Sequence, residues 1–401
     1  MPIMQFSFYF ASLKKSHQRS DLTSLFLFVA LALPLVHPVN HCWGQDSQQG
    51  QPLLNMVLFV PSDVEPPPGV QRRFAQIAAI TEEFLVKEMT KDGYPPAVTT
   101  PFPRDKRGNY KFLFIRGEHP VDSGKYDKPG FQHVVIDAAV QKYNLSRDRH
   151  VWWVWVYLGD PPKRFSDYRG GGNSIDGGWA MCNYTNIPGE LDPKLPLAGG
   201  LNQDLTLKAC IHELGHGFGL PHLGPMSRDR RGNTLMGPQT KVYHDKVDAR
   251  EKEVYLCDAT AAMLWRHPIF SDSIAKRLQM PKFAMTSCQG EFNRSGRYLE
   301  ITGEIDSDIP AHSVIVVEDA PEGGSDYFRK SFAGKVDEDG RFRVKVTELD
   351  REEGNLRIFF CFENGVNTGN GKEQGIKSGI TQQYRVTRRG VELVQPAGTG
   401  S

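Results

Sequence analysis

HELGHGFGLPH, residues 212–222, places three histidines and one glutamate in eleven positions, in a chain of 401 residues that has only twelve histidines. On an α-helix, residues four apart lie on one face a turn apart, so His212 and His216 can aim their imidazoles at one metal ion. Glu213 stands about 100° round the helix from His212, beside the ion rather than on it. There it can take a proton from an attacking water. Gly219 lacks a Cβ and can end the helix in a left-handed turn. The chain then doubles back, and His222 can supply a third ligand. Three neutral protein ligands leave one position open, the arrangement of a catalytic rather than a structural zinc. Such an ion lowers the pKa of water towards about 7 and polarises a carbonyl, so the expected chemistry is attack of water on an amide.

The competing reading is a helix with incidental imidazoles. With this chain's composition, the five defining residues would fall at these offsets in fewer than about one chain in ten thousand of this length. That rarity favours the metal site.

The pattern HExxHxxGxxH resembles the zinc signature of the metzincin metallopeptidases. It is nearest in form to the matrixins and serralysins, which share HExGHxxGLxH. Met236, in GNTLMGP fourteen residues after His222, matches the methionine that metzincins hold in a tight turn beneath the zinc. The specific match covers residues 212–236, and the order of elements extends it to about 50–280. The resemblance implies a secreted zinc endopeptidase with one catalytic Zn2+ on His212, His216 and His222, Glu213 as general base, and a protein or peptide substrate. It also implies an edge strand above the active-site helix that pairs with extended substrate. Gly178, Trp179, Ala180 and Met181, within 177–184, are similarly placed. Some relatives carry a tyrosine two residues after the methionine; Pro238 stands there, and Tyr243 is the nearest substitute on the oxyanion or zinc side. Residues 237–245 would wall the pocket for the side chain after the scissile bond. Asp160, Asp167 and Asp176, which flank a glycine-rich loop, offer oxygens for Ca2+ or a second zinc, as in several relatives. Leu223 occupies the position where better-known families place an identifying residue, so the subfamily stays open.

Working outward, residues 53–60, 111–117 and 150–159 read as strands, the last apolar on both faces and therefore central. Residues 70–91 carry apolar side chains at helical spacing, and 131–144 form a second helix. A third spans roughly 205–217, with Asp204 or Asn202 as N-cap. A last one lies near 258–267. From about 285 the pattern alternates in strand fashion, in RYLEITGEI, HSVIVVEDA, GRFRVKVTEL, NLRIFFCFE and QQYRVTRRGVELV. The fold class is α+β: a metzincin-like catalytic domain, with a twisted mixed sheet, helices, an active-site helix and a Met-turn, followed by a C-terminal β-sandwich. The expected divisions are 1–44, 45–284 and 285–401, the last of unassigned role.

Lys14, Lys15 and Arg19 precede the apolar run of residues 22–36. This is the pattern of a cleaved signal peptide, with Gln45 starting the mature chain and a secreted location; the alternative is an uncut signal anchor, which fifteen apolar residues fit less well. No other run is long enough to span a membrane. A net charge of +1 argues against a nucleic-acid binder. None of the six cysteines forms a CxxC; Cys288 and Cys361 could pair, while Cys182, Cys210 and Cys257 leave one over. Two other functions fit the same motif: a zinc-binding scaffold without catalysis, and a hydrolase of a non-peptide amide. Intact Glu213 argues against the first. The oligomeric state has no signal in the sequence.

Overall fold

The computed structural model describes residues 53–126, 128–160, 168–227, 231–247, 253–272, 276, 278–320 and 324–394. The expected signal peptide lies outside them. No helix of the described residues is long and apolar enough to cross a membrane.

Five strands form the first sheet: β1 (Leu54–Val60), β2 (Leu113–Arg116), β3 (Val151–Val156), β4 (Arg169–Asn173) and β5 (Gly177–Asn183). Their order is β2-β1-β3-β5-β4, parallel except for β4, which runs antiparallel to β5. β3 lies at the centre, as its two apolar faces require. Trp153 and Trp155 point to one side of the sheet and Trp152, Val154 and Val156 to the other. Helix α1 (Val70–Lys91) packs Phe74, Ile77 and Met89 on the first face, and α2 (Phe131–Tyr143) packs Phe131, Val135 and Ile136 on the second.

Next come α3 (Gly200–Asp204) and α4 (Leu207–Gly217), the helix that carries the histidine motif. The expected single helix from 205 is broken at Thr206, whose φ of 52° is left-handed. Nor is Asn202 a cap; its buried amide donates towards Asp192, Leu195 and Pro196 carbonyls and anchors that loop. Beyond α4, β6 (Asn233–Thr234) pairs with β7 (Val254–Tyr255), with α5 (Thr240–Lys246) between them and α6 (Asp258–Trp265) after.

The chain then forms a nine-stranded antiparallel sheet. Its members are β8 (Phe283–Asn293), β9 (Tyr298–Ser307), β10 (Ala311–Glu318), β11 (Ser331–Val336), β12 (Arg341–Val346), β13 (Glu353–Phe362), β14 (Asn367–Thr368), β15 (Ile380–Thr387) and β16 (Gly390–Val394). The order is β16-β15-β13-β10-β11-β12-β9-β8, with β14 on β13. The sheet curls until its first and last strands touch. Gly290 on β8 leaves room for Leu393 on β16, whose Cγ would lie 2.6 Å from an added Cβ. The fold is thus α+β with a C-terminal antiparallel β-sandwich.

Two strands of that sheet are apolar on both faces. Val314 and Val316 of β10, with Ile358 and Phe360 of β13, fill the sandwich. Ile315, Val317, Phe359 and Cys361 turn the other way, into the core that holds α1, α4 and α6. Cys288 and Cys361 do not pair, since β8 and β13 are not neighbours; all five described cysteines are free.

The expected substrate edge is also overturned. The segment 177–184 is not an edge: β5 lies between β3 and β4, and the edge strand is β4. Trp179 packs on the α2 face, its ring 5.6 Å from that of His133. β4 reads Arg-Gly-Gly-Gly-Asn, with no apolar alternation to mark it. Its glycines have a packing reason. A Cβ on Gly170 would fall on the carbonyl oxygen of Glu213, and one on Gly172 or Gly178 on that of Gly217. Helix α4 therefore lies on β4 and β5 at backbone distance.

Gly178→Ala is expected to destabilise the protein by about 1–3 kcal/mol or more, through overpacking against a backbone that cannot move aside. Gly171→Ala, where an added Cβ meets nothing within 4 Å, should stay within about 0.5 kcal/mol. Chemical denaturation midpoints of the two variants check this.

Candidate metal centre

Two histidines of the motif project from one helix, and the third comes from the loop that follows it. His212 and His216 project from α4 one turn apart, with ring centroids 4.7 Å apart. The helix ends where Gly219 takes a φ of +83°, and the Gly219 and Leu220 amides donate back to the His216 and Gly215 carbonyls at 2.9 and 3.0 Å. This left-handed cap reverses the chain. It returns His222 to 4.7 Å from His216 and 5.3 Å from His212, centroid to centroid. One ring nitrogen from each of the three lies within 4.8 Å of the others.

The other nitrogens explain the aim. Nδ1 of His212 lies 2.8 Å from the Leu235 carbonyl oxygen, and Nδ1 of His216 lies 2.8 Å from that of Leu220. Nδ1 of His222 lies 3.0 Å from Oδ2 of Asp326. An acceptor beside each Nδ1 puts the proton there and leaves the Nε2 lone pair free for an ion. Burial lowers all three imidazole pKa values, that of His216 to about 4, which keeps the rings neutral. Nε2 of His216 and of His222 stand 2.9 Å apart. Three neutral, converging, hydrogen-bonded imidazoles are the donor set that suits a zinc ion.

Glu213 follows His212 on α4 and is half-buried. Burial pushes its carboxyl pKa up to about 7. Any dication in the site would draw it back down.

Met236 lies under the histidines. It is 1% exposed, and its Sδ would meet a Cβ on Gly215 at 2.5 Å, between the two helical ligands. The turn is closed by Gly237 N–H to the Thr234 carbonyl at 3.1 Å and Leu223 N–H to the Met236 carbonyl at 3.2 Å. Arg231 anchors this strand to α1 through Glu88 at 2.8 Å.

Tyr243 lies on α5, 4% exposed, in the wall of a cavity of about 620 Å³ that also includes Pro225, Met226, Lys246, Phe328 and Arg329. The tyrosine whose ring lies on the histidines is Tyr327, from the C-terminal half. Its centroid is 3.8 Å from that of His222, nearly parallel, and 5.8 Å from that of His212. Asp326 and Tyr327 stand over a hundred residues from the motif, in a 3-10 turn (Asp326–Phe328) among strands, and carry no local signature. As for the aspartates offered for calcium, Asp160 accepts from the Tyr157 hydroxyl at 2.7 Å and Asp176 from the Asn173 amide at 2.9 Å. Asp167 lies outside the described residues. Among the described residues, the three histidines are the one group of His, Cys, Asp or Glu side chains gathered closely enough to hold a metal.

No protein-family model matches the chain, and no curated protein matches it. Among solved structures it is similar to OgpA from Akkermansia muciniphila. A catalytically inactive form of that protein, in complex with an O-glycopeptide (glycodrosocin) substrate, has a TM-score of 0.62 and 18% identity, over 87% of this chain and 96% of that one. The wild type in one crystal form has a TM-score of 0.62 and 19% identity, over 86% and 95% of the two chains. In a second form the values are 0.60 and 18%, over 87% and 97%. At this identity the likeness is one of fold, and it runs through both halves of the chain.

One equivalent of zinc is expected to stabilise the full chain. Free zinc at a hundred times Kd adds about 2.7 kcal/mol of apparent stability. Thermal melts with and without zinc measure it, and His212→Ala should remove the gain.

Proposed function

We propose that the protein is a zinc-dependent endopeptidase of the metzincin type whose substrates are O-glycosylated peptides. The observation that carries the reading is the set of three imidazoles, each with Nδ1 held by an acceptor and Nε2 turned inward, beside the half-buried Glu213. The substrate class comes from OgpA, of the same fold, whose complex holds an O-glycopeptide.

His212, His216 and His222 would hold the ion, which when bound supplies Lewis acidity towards a carbonyl oxygen and makes water a better acid. The remaining work belongs to the chain. β4 is the last strand of its sheet, so its outer edge offers backbone N–H and C=O groups to an extended peptide. Its glycines let that peptide approach closely. Glu213 takes a proton from the attacking water onto a carboxylate oxygen and returns it to the leaving amine nitrogen. The cavity beside Tyr243 receives the side chain after the scissile bond. At about 620 Å³ it falls in the usual range for ligand pockets. Asp319, Arg329 and Asp350 in its wall suit sugar hydroxyls. Export belongs to the same reading and is supported by the basic-then-apolar pattern before residue 37.

The test uses two peptides of one sequence, with and without an O-linked sugar on a single threonine. The zinc-loaded full chain should cut the glycosylated peptide, and a chelator should abolish cleavage. Glu213→Gln should lower kcat by at least about 100-fold while zinc stays bound. Equal cleavage of the bare peptide would remove the sugar requirement. No cleavage of either would contradict the peptidase reading and favour a zinc-dependent binding protein.

A further inference from the structure

We infer that Asp326 and Tyr327, presented by the C-terminal sandwich, are positioning residues of the metal centre, so that the sandwich completes the zinc site rather than serving as an appendage. The inference rests on the metal-site reading and concerns a part of the chain that the histidine motif does not reach.

Three observations carry it. The first is the pairing itself. Asp326 Oδ2 is 3.0 Å from Nδ1 of His222, while the two helical histidines use backbone carbonyls for the same purpose. A carboxylate behind a ligand imidazole fixes its tautomer and orientation and raises its basicity. His222 needs this most, since it stands beyond the end of α4 and has no helix to orient it. The second is the cover. The Tyr327 ring lies against His222 at 3.8 Å with an interplanar angle of 26°. It limits the rotation of the imidazole about χ2 and leaves the His222 side chain 18% exposed.

The third is the way the turn is fastened. The Gly224 N–H donates to the Arg329 carbonyl at 2.8 Å. A Cβ on Gly224 would lie 2.5 Å from Cα of Phe328, so the loop after His222 and the 3-10 turn meet backbone to backbone. Lys330, only 5% exposed, donates to the Pro225 carbonyl at 2.9 Å and pairs with Glu348 at 2.9 Å. Glu348 in turn accepts from the Ser227 amide at 3.1 Å. These bonds cross between the two halves of the chain within five residues of His222. Arg329 steadies Asp326 from the same turn at 3.4 Å.

The test is zinc affinity of the full chain, by competition with a chromophoric chelator. Its companion is the visible spectrum of the cobalt-substituted protein. Asp326→Ala should weaken zinc binding by about 10–100-fold. Asp326→Asn keeps an acceptor oxygen without the charge and should fall between wild type and Asp326→Ala. Tyr327→Leu should weaken binding, and Tyr327→Phe, which keeps the stack, should restore it. The cobalt bands should shift in Asp326→Ala, a change that a merely structural role would not produce. Asp326 is 41% exposed in its side chain, so its truncation opens no core; should the alanine variant fail to fold, Asp326→Asn decides. Wild-type zinc affinity and an unshifted cobalt spectrum in the Asp326 variants would overturn the inference and leave the metal site standing. A wild type that binds no zinc would overturn both.

Discussion

The structure turns on how closely α4 lies to β4 and β5. No side-chain layer separates them; glycines at 170, 172 and 178 let helix carbonyls rest directly on the strands. That contact sets the depth of His212 and His216 below the sheet edge. It also governs the reversal after the helix, because Gly219 turns the chain where its own missing Cβ would lie 3.1 Å from the β4 backbone. On the far side of α4, Gly215 admits the sulfur of Met236. Glycine is costly in a strand or a helix, by roughly 0.5–1 kcal/mol relative to alanine. Here that cost is accepted so that the helix carrying the histidines and the edge strand of the sheet are joined at backbone distance.

The C-terminal sandwich belongs to the same mechanical unit. Ile315, Val317, Phe359 and Cys361 leave its outer face to enter the core that holds α4. Full burial of such side chains contributes about 1.5–3 kcal/mol each for the larger ones, so this junction is not a loose hinge. A rigid junction lets a turn over a hundred residues downstream place a carboxylate 3.0 Å from one imidazole nitrogen. The likeness to OgpA runs through both halves, as expected of one unit.

Much of this is legible in the sequence, and the gaps have physical causes. The α1 span Val70–Lys91 follows from its 3.6-residue apolar period, and the central place of β3 from its run of tryptophans and valines. The histidines can be read as a cluster because helix geometry and one glycine turn bring them together within eleven residues. β4 is hidden, since three glycines carry no alternating pattern, and without it β5 looks like the edge. β8 escapes for the opposite reason: its mostly solvent-facing residues mix polar and apolar types without a buried face. Thr206 breaks the helix through a backbone conformation that threonine seldom adopts. Asp326 and Tyr327 belong to no local motif. Their meaning depends on a tertiary fold that sets Gly224 against Phe328, and the break in the strand pattern between β10 and β11 is the sole trace.

In the proposed centre, three imidazoles and no other protein nitrogen or sulfur hold one zinc ion. X-ray absorption at the zinc edge of the full chain loaded with one equivalent tests this most directly. The expected spectrum has three imidazole nitrogens at about 2.0–2.1 Å, a light oxygen scatterer and no sulfur. A sulfur shell at about 2.3 Å, or fewer than three imidazoles, would contradict it.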